Sequence, residues 1–175
     1  MTDLYEQIKG DRGRIESFLG KIPGYKGYKE KEMRREADKL LREALARRLQ
    51  EQWRRLPDIQ KQLLSSAQIQ WLDDIEGATM KLQLFIDRLK TATYGYAGFF
   101  DAVRVKEDEL DQLYNFDLAL GEQVDEITAA VDALSSAAMS KEGIGEAIAR
   151  LNGAAVMANE TFGRRQDVIT GTETI

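Results

Sequence analysis

Apolar side chains recur along this chain at steps of three and four residues, which is the period of an amphipathic α-helix. The clearest run lies between residues 101 and 138, where steps of three, four and seven resemble those of a coiled-coil seam. Its seam consists of the aliphatic residues Val103, Leu110, Leu113, Leu120, Val124, Ile127, Val131 and Leu134. No segment alternates apolar and polar residues over the length of a strand. The pattern therefore predicts an all-α protein.

The same periodicity divides the chain into one short helix and four long ones. We predict the short helix over residues 3–19 and the long helices over residues 29–56, 58–91, 101–138 and 141–169. Pro57 separates the first two long helices, because proline is favoured at the first position of a helix. Ser140 is predicted to cap the last helix. We expect an elongated antiparallel bundle and, because no linker is visible, a single domain over residues 1–175.

Two segments rich in glycine and aromatic residues interrupt the helices. The first covers residues 22–28, and the second covers residues 92–100. We interpret the second as a turn, and a kinked helix is the alternative. Exposed loop aromatics either pack or bind, so these side chains form a plug at one end of the bundle or a binding hot spot. The candidate partner-binding residues are these aromatic residues and neighbouring basic ones: Tyr25, Lys26, Tyr28, Arg34, Arg35, Tyr94, Tyr96, Phe99 and Phe100.

The composition removes much of catalytic chemistry. The chain has no histidine and no cysteine, so it has no Ser–His dyad, thiol nucleophile, zinc site or iron–sulfur site. Carboxylates could still hold magnesium, as in all-α nucleotide pyrophosphohydrolases, and three acidic pairs have a suitable spacing: Asp73 and Glu76, Asp108 and Asp111, and Glu122 and Asp125. The phase of the last two pairs places them beside the apolar seam, which favours a solvated acidic face. We therefore predict no metal, no cofactor and no small-molecule substrate.

Asp117 occupies a seam position among leucines. A carboxylate buried there without a partner would cost several kcal/mol, so we expect it to be paired. Arg165, in phase with Phe162 near the end of the last predicted helix, is one candidate partner. We interpret Asp117 as a buried polar residue that sets the register of the helices, and a functional site is the alternative.

The net charge of −5 is the remainder of two opposed regions. Residues 1–56 carry 15 basic and 10 acidic side chains, whereas residues 101–140 carry 2 basic and 10 acidic ones. Complementary charge of this kind sets the rate and register of association. The basic stretch over residues 26–55 is either a salt-bridged surface or a contact with anionic membrane, and it contains no specific nucleic-acid recognition motif.

These observations favour a non-enzymatic helical interaction protein, an adaptor or scaffold that binds a protein partner or associates with itself through charge-segregated, coiled-coil-like surfaces. The first alternative is a peripheral membrane-associated or membrane-complex regulatory protein. The second is a magnesium-dependent all-α nucleotide hydrolase. The sequence predicts neither a signal peptide nor a transmembrane segment, so we expect a cytoplasmic location, with peripheral membrane contact as the variant.

The chain also resembles an uncharacterised family of small bacterial all-helical proteins over residues 20–130. The resemblance is carried by two segments, IPGYKGYKEKEMRREADKLLRE and YGYAGFFDAVRVKEDELDQLYNFD. It implies a helical, coiled-coil-like fold and no established activity. The order of charge is similar to that of membrane-remodelling proteins of the phage-shock kind, although this chain is shorter and lacks their long initial hairpin.

Overall fold

The computed structural model describes residues 17–92, 96–100 and 106–171, without the side chains of residues 96 and 97. The α-helices are α1 (Arg34–Ser65), α2 (Leu72–Thr91), α3 (Tyr96–Phe100), α4 (Glu107–Ser140) and α5 (Ile144–Thr170). Residues 17–20 are also helical, and 3₁₀ turns at Lys31–Met33 and Ile69–Trp71 lead into α1 and α2. The described ranges contain no β-strand. The predicted all-α fold with four long helices is confirmed.

Helix α1 passes through Pro57, so the predicted helix boundary at this residue is wrong. An internal proline removes one backbone hydrogen bond and costs roughly 3 kcal/mol. Leu56, Ile59 and Leu63 are buried on the inner face around it. Burial contributes roughly 1.5–3 kcal/mol for each of them. The apolar face therefore offsets the cost of the proline, whose own ring is exposed.

Helix α1 ends at Ser65 in a Schellman motif, which closes its last carbonyl groups. The Gln68 N–H donates to the Leu63 carbonyl at 2.8 Å, and the Ala67 N–H donates to the Leu64 carbonyl at 3.2 Å. Ala67 has a φ of 60°, in the left-handed region where glycine is usual. Because alanine stands at this position, the sequence carries no glycine stop signal there.

Three other predicted boundaries differ from the structure. Helix α1 begins at Arg34 rather than at residue 29, and the helix predicted from residue 101 begins at Glu107. Ser140 is the last residue of α4 rather than a cap of α5. Lys141, with a φ of 64°, ends α4, and the chain then turns. The Gly143 carbonyl accepts the first hydrogen bond of α5, from the Ala147 N–H at 3.0 Å.

The turn predicted over residues 92–100 is wrong for residues 96–100, which form the short helix α3. Packing explains the difference, because the last residue of this helix, Phe100, is buried with 1% of its surface exposed. Residues 3–16 of the short helix predicted over residues 3–19 lie outside the described residues. The same holds for residues 93–95, residues 101–105 with the seam residue Val103, and the last four residues.

The described residues group into two compact units. Unit 1 takes its residues from Met1–Ala44, Thr93–Glu122 and Thr161–Ile175, and unit 2 from Leu45–Ala92 and Gln123–Glu160. The single domain expected from the sequence stays a prediction. The α4 seam is buried in both units, at Leu113, Leu120, Val124, Ile127, Val131 and Leu134.

Polar contacts at heptad intervals set the register of unit 2. Arg48 of α1 donates to Asp125 of α4 at 2.5 Å, and Arg55 donates to Asp132 at 2.6 Å. Because both partners advance by seven residues, α1 and α4 run parallel here.

Helices α2 and α5 repeat this arrangement. Lys81 donates to the Asn152 side chain at 2.7 Å, and Arg88 donates to the Asn159 carbonyl at 2.7 Å, again seven residues further along both helices. Consecutive helices are joined by short connections, so unit 2 consists of two antiparallel hairpins lying side by side.

Candidate functional site

Unit 1 buries several charged side chains in its interior. Arg34, Asp38, Arg42, Asp117 and Arg165 are all at most 7% exposed, and Asp117 and Arg165 have no exposed surface. The seam position of Asp117 predicts this burial, and the structure shows it. Charged residues are rarely buried unless they are paired, and four of these five side chains are paired with one another. The fifth, Arg34, donates to a backbone carbonyl.

Arg165 joins two carboxylates from different helices. Its Nε donates to Asp117 Oδ1 of α4 at 2.6 Å, and its Nη2 donates to Asp38 Oδ1 of α1 at 2.7 Å. Asp38 also accepts from Arg42 Nε at 2.8 Å, one turn further along α1. Hydrogen bonds between ionised groups are stronger than neutral ones. We call these four residues, Asp38, Arg42, Asp117 and Arg165, the buried ion cluster.

Tyr28 ties the first glycine-rich loop to the buried ion cluster. Its hydroxyl donates to Asp117 Oδ2 at 2.5 Å and accepts from Arg165 Nη2 at 3.2 Å. Arg34 Nε donates to the Tyr28 carbonyl at 2.8 Å. Both side chains are held inside unit 1 by these bonds, and their role in partner binding stays a prediction. Residues from α1, α4 and α5 thus fix one loop residue.

Burial changes the acidity of this network. It raises the pKa of Asp117, and the neighbouring Arg165 guanidinium and Tyr28 hydroxyl oppose the effect only in part. Burial and the Asp117 carboxylate also raise the pKa of Tyr28 and of Tyr25. Both phenols therefore remain protonated at neutral pH, and the Tyr28 hydroxyl serves as a hydrogen-bond donor.

Aromatic rings cover the outer side of Tyr28. Its ring stacks on Phe100 with a centroid distance of 6.1 Å, and the Tyr25 ring lies edge-on to it at 6.4 Å. Phe99 packs edge-on against Phe100 at 5.3 Å. The Phe100 ring packs in the interior of unit 1, and its role in partner binding stays a prediction. For Tyr28 and Phe100, the plug interpretation describes the structure.

The remaining predicted residues have different positions. Arg35 is exposed and Phe99 is half-buried. Tyr94 and the side chain of Tyr96 lie outside the described residues.

A cleft of about 1130 Å³ opens in unit 1 between residues 19–34 and the first two turns of α4. Four of the predicted partner-binding residues line it: Tyr25, Lys26, Tyr28 and Arg34. The wall formed by Tyr28 and Arg34 is the one that the buried ion cluster fixes. The candidate residues taken from the sequence thus form one side of the cleft.

The opposite wall of the cleft was not predicted. It consists of Glu107, Asp111 and Tyr114, together with Leu110. These residues are spaced by three and four along α4, so a helical plot marks them as one face beside the apolar seam. Their meeting with the first loop depends on the tertiary fold, and no local signal indicates it.

The cleft carries charges of both signs. Lys26 and Lys29 lie on the loop side, and Glu107 and Asp111 lie on the α4 side, all with exposed side chains. The hydroxyl of Tyr25 is buried, and a hydrogen bond with the Tyr28 side chain opposes part of the rise in its pKa. The arrangement suits an amphipathic ligand that carries charged groups.

The acidic pairs considered as metal ligands lie at the surface. In the described ranges no group of three or more carboxylates is placed to hold a metal ion. Asp125 is bonded to Arg48, and the adjacent Glu126 is bonded to Arg150 at 2.7 Å. The arginine lowers the pKa of Glu126 by this hydrogen bond. The carboxylates of this part of α4 serve as ion-pair partners within the chain.

None of the helices in the described part of the chain has an apolar window long enough to cross a lipid bilayer. Comparison with protein-family models, with curated proteins and with solved structures finds no match to this chain. The resemblance of the two sequence segments therefore adds nothing to the functional argument. The functional interpretation rests on the fold and on the cleft with its buried ion cluster.

Proposed function

We propose that this protein is a non-enzymatic helical interaction protein, an adaptor or scaffold, that holds a segment of a protein partner in the cleft of unit 1. The observation that carries the proposal is a cleft lined by tyrosine rings, by apolar side chains and by charges of both signs. A polypeptide offers what matches this lining, namely apolar groups and side chains of either charge.

The size and lining of the cleft support a polypeptide ligand. Its volume of about 1130 Å³ is larger than that of typical small-molecule pockets, which is roughly 300–1,000 Å³. Tyr25 and Tyr114 offer large rings with a polar end, the combination that is favoured at protein interfaces. Leu19 and Leu110 add apolar surface for a side chain of the partner.

The buried ion cluster gives this site its rigidity. Tyr28 forms part of the cleft wall and is bonded to Asp117 and Arg165 behind it. A wall that is already ordered loses less conformational entropy when a partner binds, so more of the contact energy appears as affinity. The proposed role of the cluster is therefore to position the cleft.

The charges proposed to recognise the partner lie at the rim of the cleft, and not along the whole basic and acidic helices as the sequence suggested. Part of the opposed charge is already satisfied inside the chain, because Arg48 and Arg55 bond to Asp125 and Asp132. The exposed lysines and carboxylates at the rim of the cleft are better placed for a partner. Rim charges mainly raise the association rate and make it salt-dependent. The proposal keeps the cytoplasmic location that the sequence predicts.

Peptide selection tests the proposal even though the partner is unidentified. A random peptide library is selected on the immobilised protein, and fluorescence anisotropy then gives the dissociation constant of the enriched peptides. The test variant is Lys26→Glu with Lys29→Glu, which reverses the loop side of the rim. The matched control is Lys61→Glu with Lys90→Glu, two exposed lysines of unit 2 with the same change in net charge.

We expect the rim variant to weaken peptide binding by roughly tenfold or more, and the control to leave it unchanged. Tyr25→Ala should also weaken it, because the cleft loses an aromatic ring that lines it. No enriched peptide, or equal losses in both charge variants, would contradict the proposal. Flotation with anionic vesicles that depends on Lys26 and Lys29 would favour the membrane alternative, and magnesium-dependent nucleotide hydrolysis would favour the enzyme.

A further inference from the structure

The outer surface of α2 carries a second heptad pattern that the fold leaves exposed. The buried face of this helix is formed by Ile75, Ala78, Leu82, Phe85, Ile86 and Leu89. Opposite to it, positions spaced by four, three, four, three and four residues form what we call the outer seam of α2: Asp73, Gly77, Met80, Leu84, Asp87 and Thr91. Such spacing places all six on one side of a helix.

The centre of the outer seam is apolar. Met80 is 66% exposed and Leu84 is 53% exposed. Val156 of α5, 36% exposed, extends the patch, because it lies midway between Asn152 and Asn159, the residues that contact α2. Large apolar side chains that cluster at a surface mark interaction sites more often than scattered ones do.

We propose that the outer seam of α2 is a self-association surface, on which a second copy of this chain docks with its α2 antiparallel to the first. This inference concerns unit 2 and is independent of the proposed function of the cleft. Two features of the seam point to a copy of itself rather than to a different protein.

The first feature is symmetry. The spacing of the outer seam is symmetric about residue 82, so in an antiparallel pair Met80 meets Leu84 of the second copy, and Asp73 meets Thr91. A two-fold axis at this point makes the patch complementary to itself, as isologous interfaces require.

The second feature is charge. The first turn of α2 is acidic, with Asp73 and Asp74, and its last turn carries the exposed Lys90, whereas Arg88 is bonded to Asn159 of α5. An antiparallel pair places the acidic turn of each copy beside the basic turn of the other, whereas a parallel pair would place like charges together. Complementary charge thus selects the antiparallel orientation.

The length of α2 limits the strength of this contact. Its 20 residues span only ~30 Å. The buried area therefore falls below the ~1,200 Å² of stable specific interfaces. We expect a dissociation constant of roughly 10–100 µM, so the dimer forms only at high protein concentration.

Sedimentation equilibrium over about 5–500 µM protein tests the proposal. We expect a monomer–dimer equilibrium that Leu84→Glu weakens by roughly tenfold or more. The matched control is Leu64→Glu, the same change at a leucine of unit 2 that is 58% exposed on α1. A strict monomer over the whole range, or equal weakening by both variants, would overturn the proposal. The cleft variant Lys26→Glu with Lys29→Glu should leave the dimer unchanged.

Cross-linking reports the orientation directly and does not depend on the effect of a buried charge. Because the chain has no cysteine, single introduced thiols react only with each other. We expect a mixture of the Asp73→Cys and Thr91→Cys proteins to give a disulfide-linked heterodimer under mild oxidation. Preferential linkage of the Asp73→Cys protein to itself would indicate a parallel pair and overturn the proposal, as would the absence of any linkage.

Discussion

Unit 1 and unit 2 handle charge in opposite ways. In the described part of the chain, the fully buried charged residues all lie in unit 1, with Arg165 and Asp117 at 0% exposure. The arginine pairs that link α4 to its neighbours in unit 2 are exposed: the side chains of Arg48, Arg55 and Arg150 are 32%, 39% and 45% accessible. The interior of unit 2 is built from apolar side chains instead.

This difference indicates which part of the chain needs side chains held in fixed positions. Exposed ion pairs contribute little to stability, and in unit 2 they serve to align helices that the apolar core already holds. A buried ion pair carries a desolvation cost that apolar residues would avoid. Unit 1 retains such a cluster directly behind the cleft wall, which supports a positioning role there. The following predictions test the contrast, beginning with the largest effect.

Replacing Arg165 should show most clearly how the buried ion pairs of unit 1 differ in stability from the exposed pairs of unit 2. Arg165→Met leaves the carboxylates of Asp117 and Asp38 buried without their shared guanidinium. We expect the free energy of unfolding to fall by about 3–5 kcal/mol, as measured by urea denaturation followed by circular dichroism.

The matched control is Arg150→Met, which removes an arginine from the same helix at the exposed pair with Glu126. We expect little change in stability, because solvent screens this pair. Similar losses in the two variants would remove the distinction between buried and exposed pairs on which the comparison depends.

Gly145 offers a test of packing in unit 2. A Cβ added at this residue would lie 2.7 Å from Cη2 and 2.8 Å from Cζ3 of the Trp71 ring. Gly145→Ala must therefore displace the indole, and we expect a loss of roughly 1–3 kcal/mol with a shift of tryptophan fluorescence.

Gly153 of the same helix is the control, since a Cβ there would meet open space. Gly153→Ala should stabilise the protein by roughly 0.5–1 kcal/mol, because glycine is unfavourable inside a helix. Equal effects of the two substitutions would mean that Trp71 does not pack on Gly145.

The pH dependence of stability should report the burial of Asp117. Because its pKa is raised above the ordinary value of 3.8, the folded state binds this proton more tightly than the unfolded state does. The favourable contribution is fully present below that value and is lost as the pH rises through the folded-state pKa.

We therefore expect the wild-type protein to lose stability relative to the Asp117→Asn variant as the pH increases above 3.8. Paired urea titrations from acidic to neutral pH measure this difference and cancel the titration of other carboxylates. If the wild type instead became more stable relative to the Asp117→Asn variant as the pH rises, the pKa of Asp117 would not be raised in the folded state.

The smallest effect concerns the end of α1. Ala67 adopts a φ of 60°, and glycine adopts this conformation without strain. We expect Ala67→Gly to stabilise the protein by roughly 0.5–1 kcal/mol, visible as a higher midpoint of thermal unfolding. Ala149→Gly, at an exposed position inside α5, should destabilise it by about 1 kcal/mol. Destabilisation by both would show that the left-handed residue is not strained.

The sequence predicted what depends on local periodicity. The α4 seam has a clear heptad rhythm, so the burial of Leu120 and Val124 and the anomaly at Asp117 could be read from spacing alone. The ends of the helices were harder to predict from the sequence, because packing overrides local preference. The apolar face around Pro57 continues α1 where proline alone favours a boundary, and Ala67 ends it without a glycine.

The site was only half predictable for a related reason. Tyr25 and Lys26 stand out locally, beside glycines in a loop. Glu107 and Tyr114 form the other wall, and they join the first only when α4 packs against the loop. The segregation of charge along the chain was visible in the sequence, but the binding partners of the charged residues were not. A count of charges cannot tell whether a basic residue such as Arg48 pairs with a separate protein or with a neighbouring helix, as it does with Asp125.

The central claim is that the cleft of unit 1 is the binding site. Amide chemical shifts of the ¹⁵N-labelled protein, recorded while a selected peptide is added, test it most directly. We expect shifts that saturate and are concentrated in residues 19–34 and 107–114. Shifts confined to α2 or to other parts of unit 2, with those two segments unchanged, would contradict it.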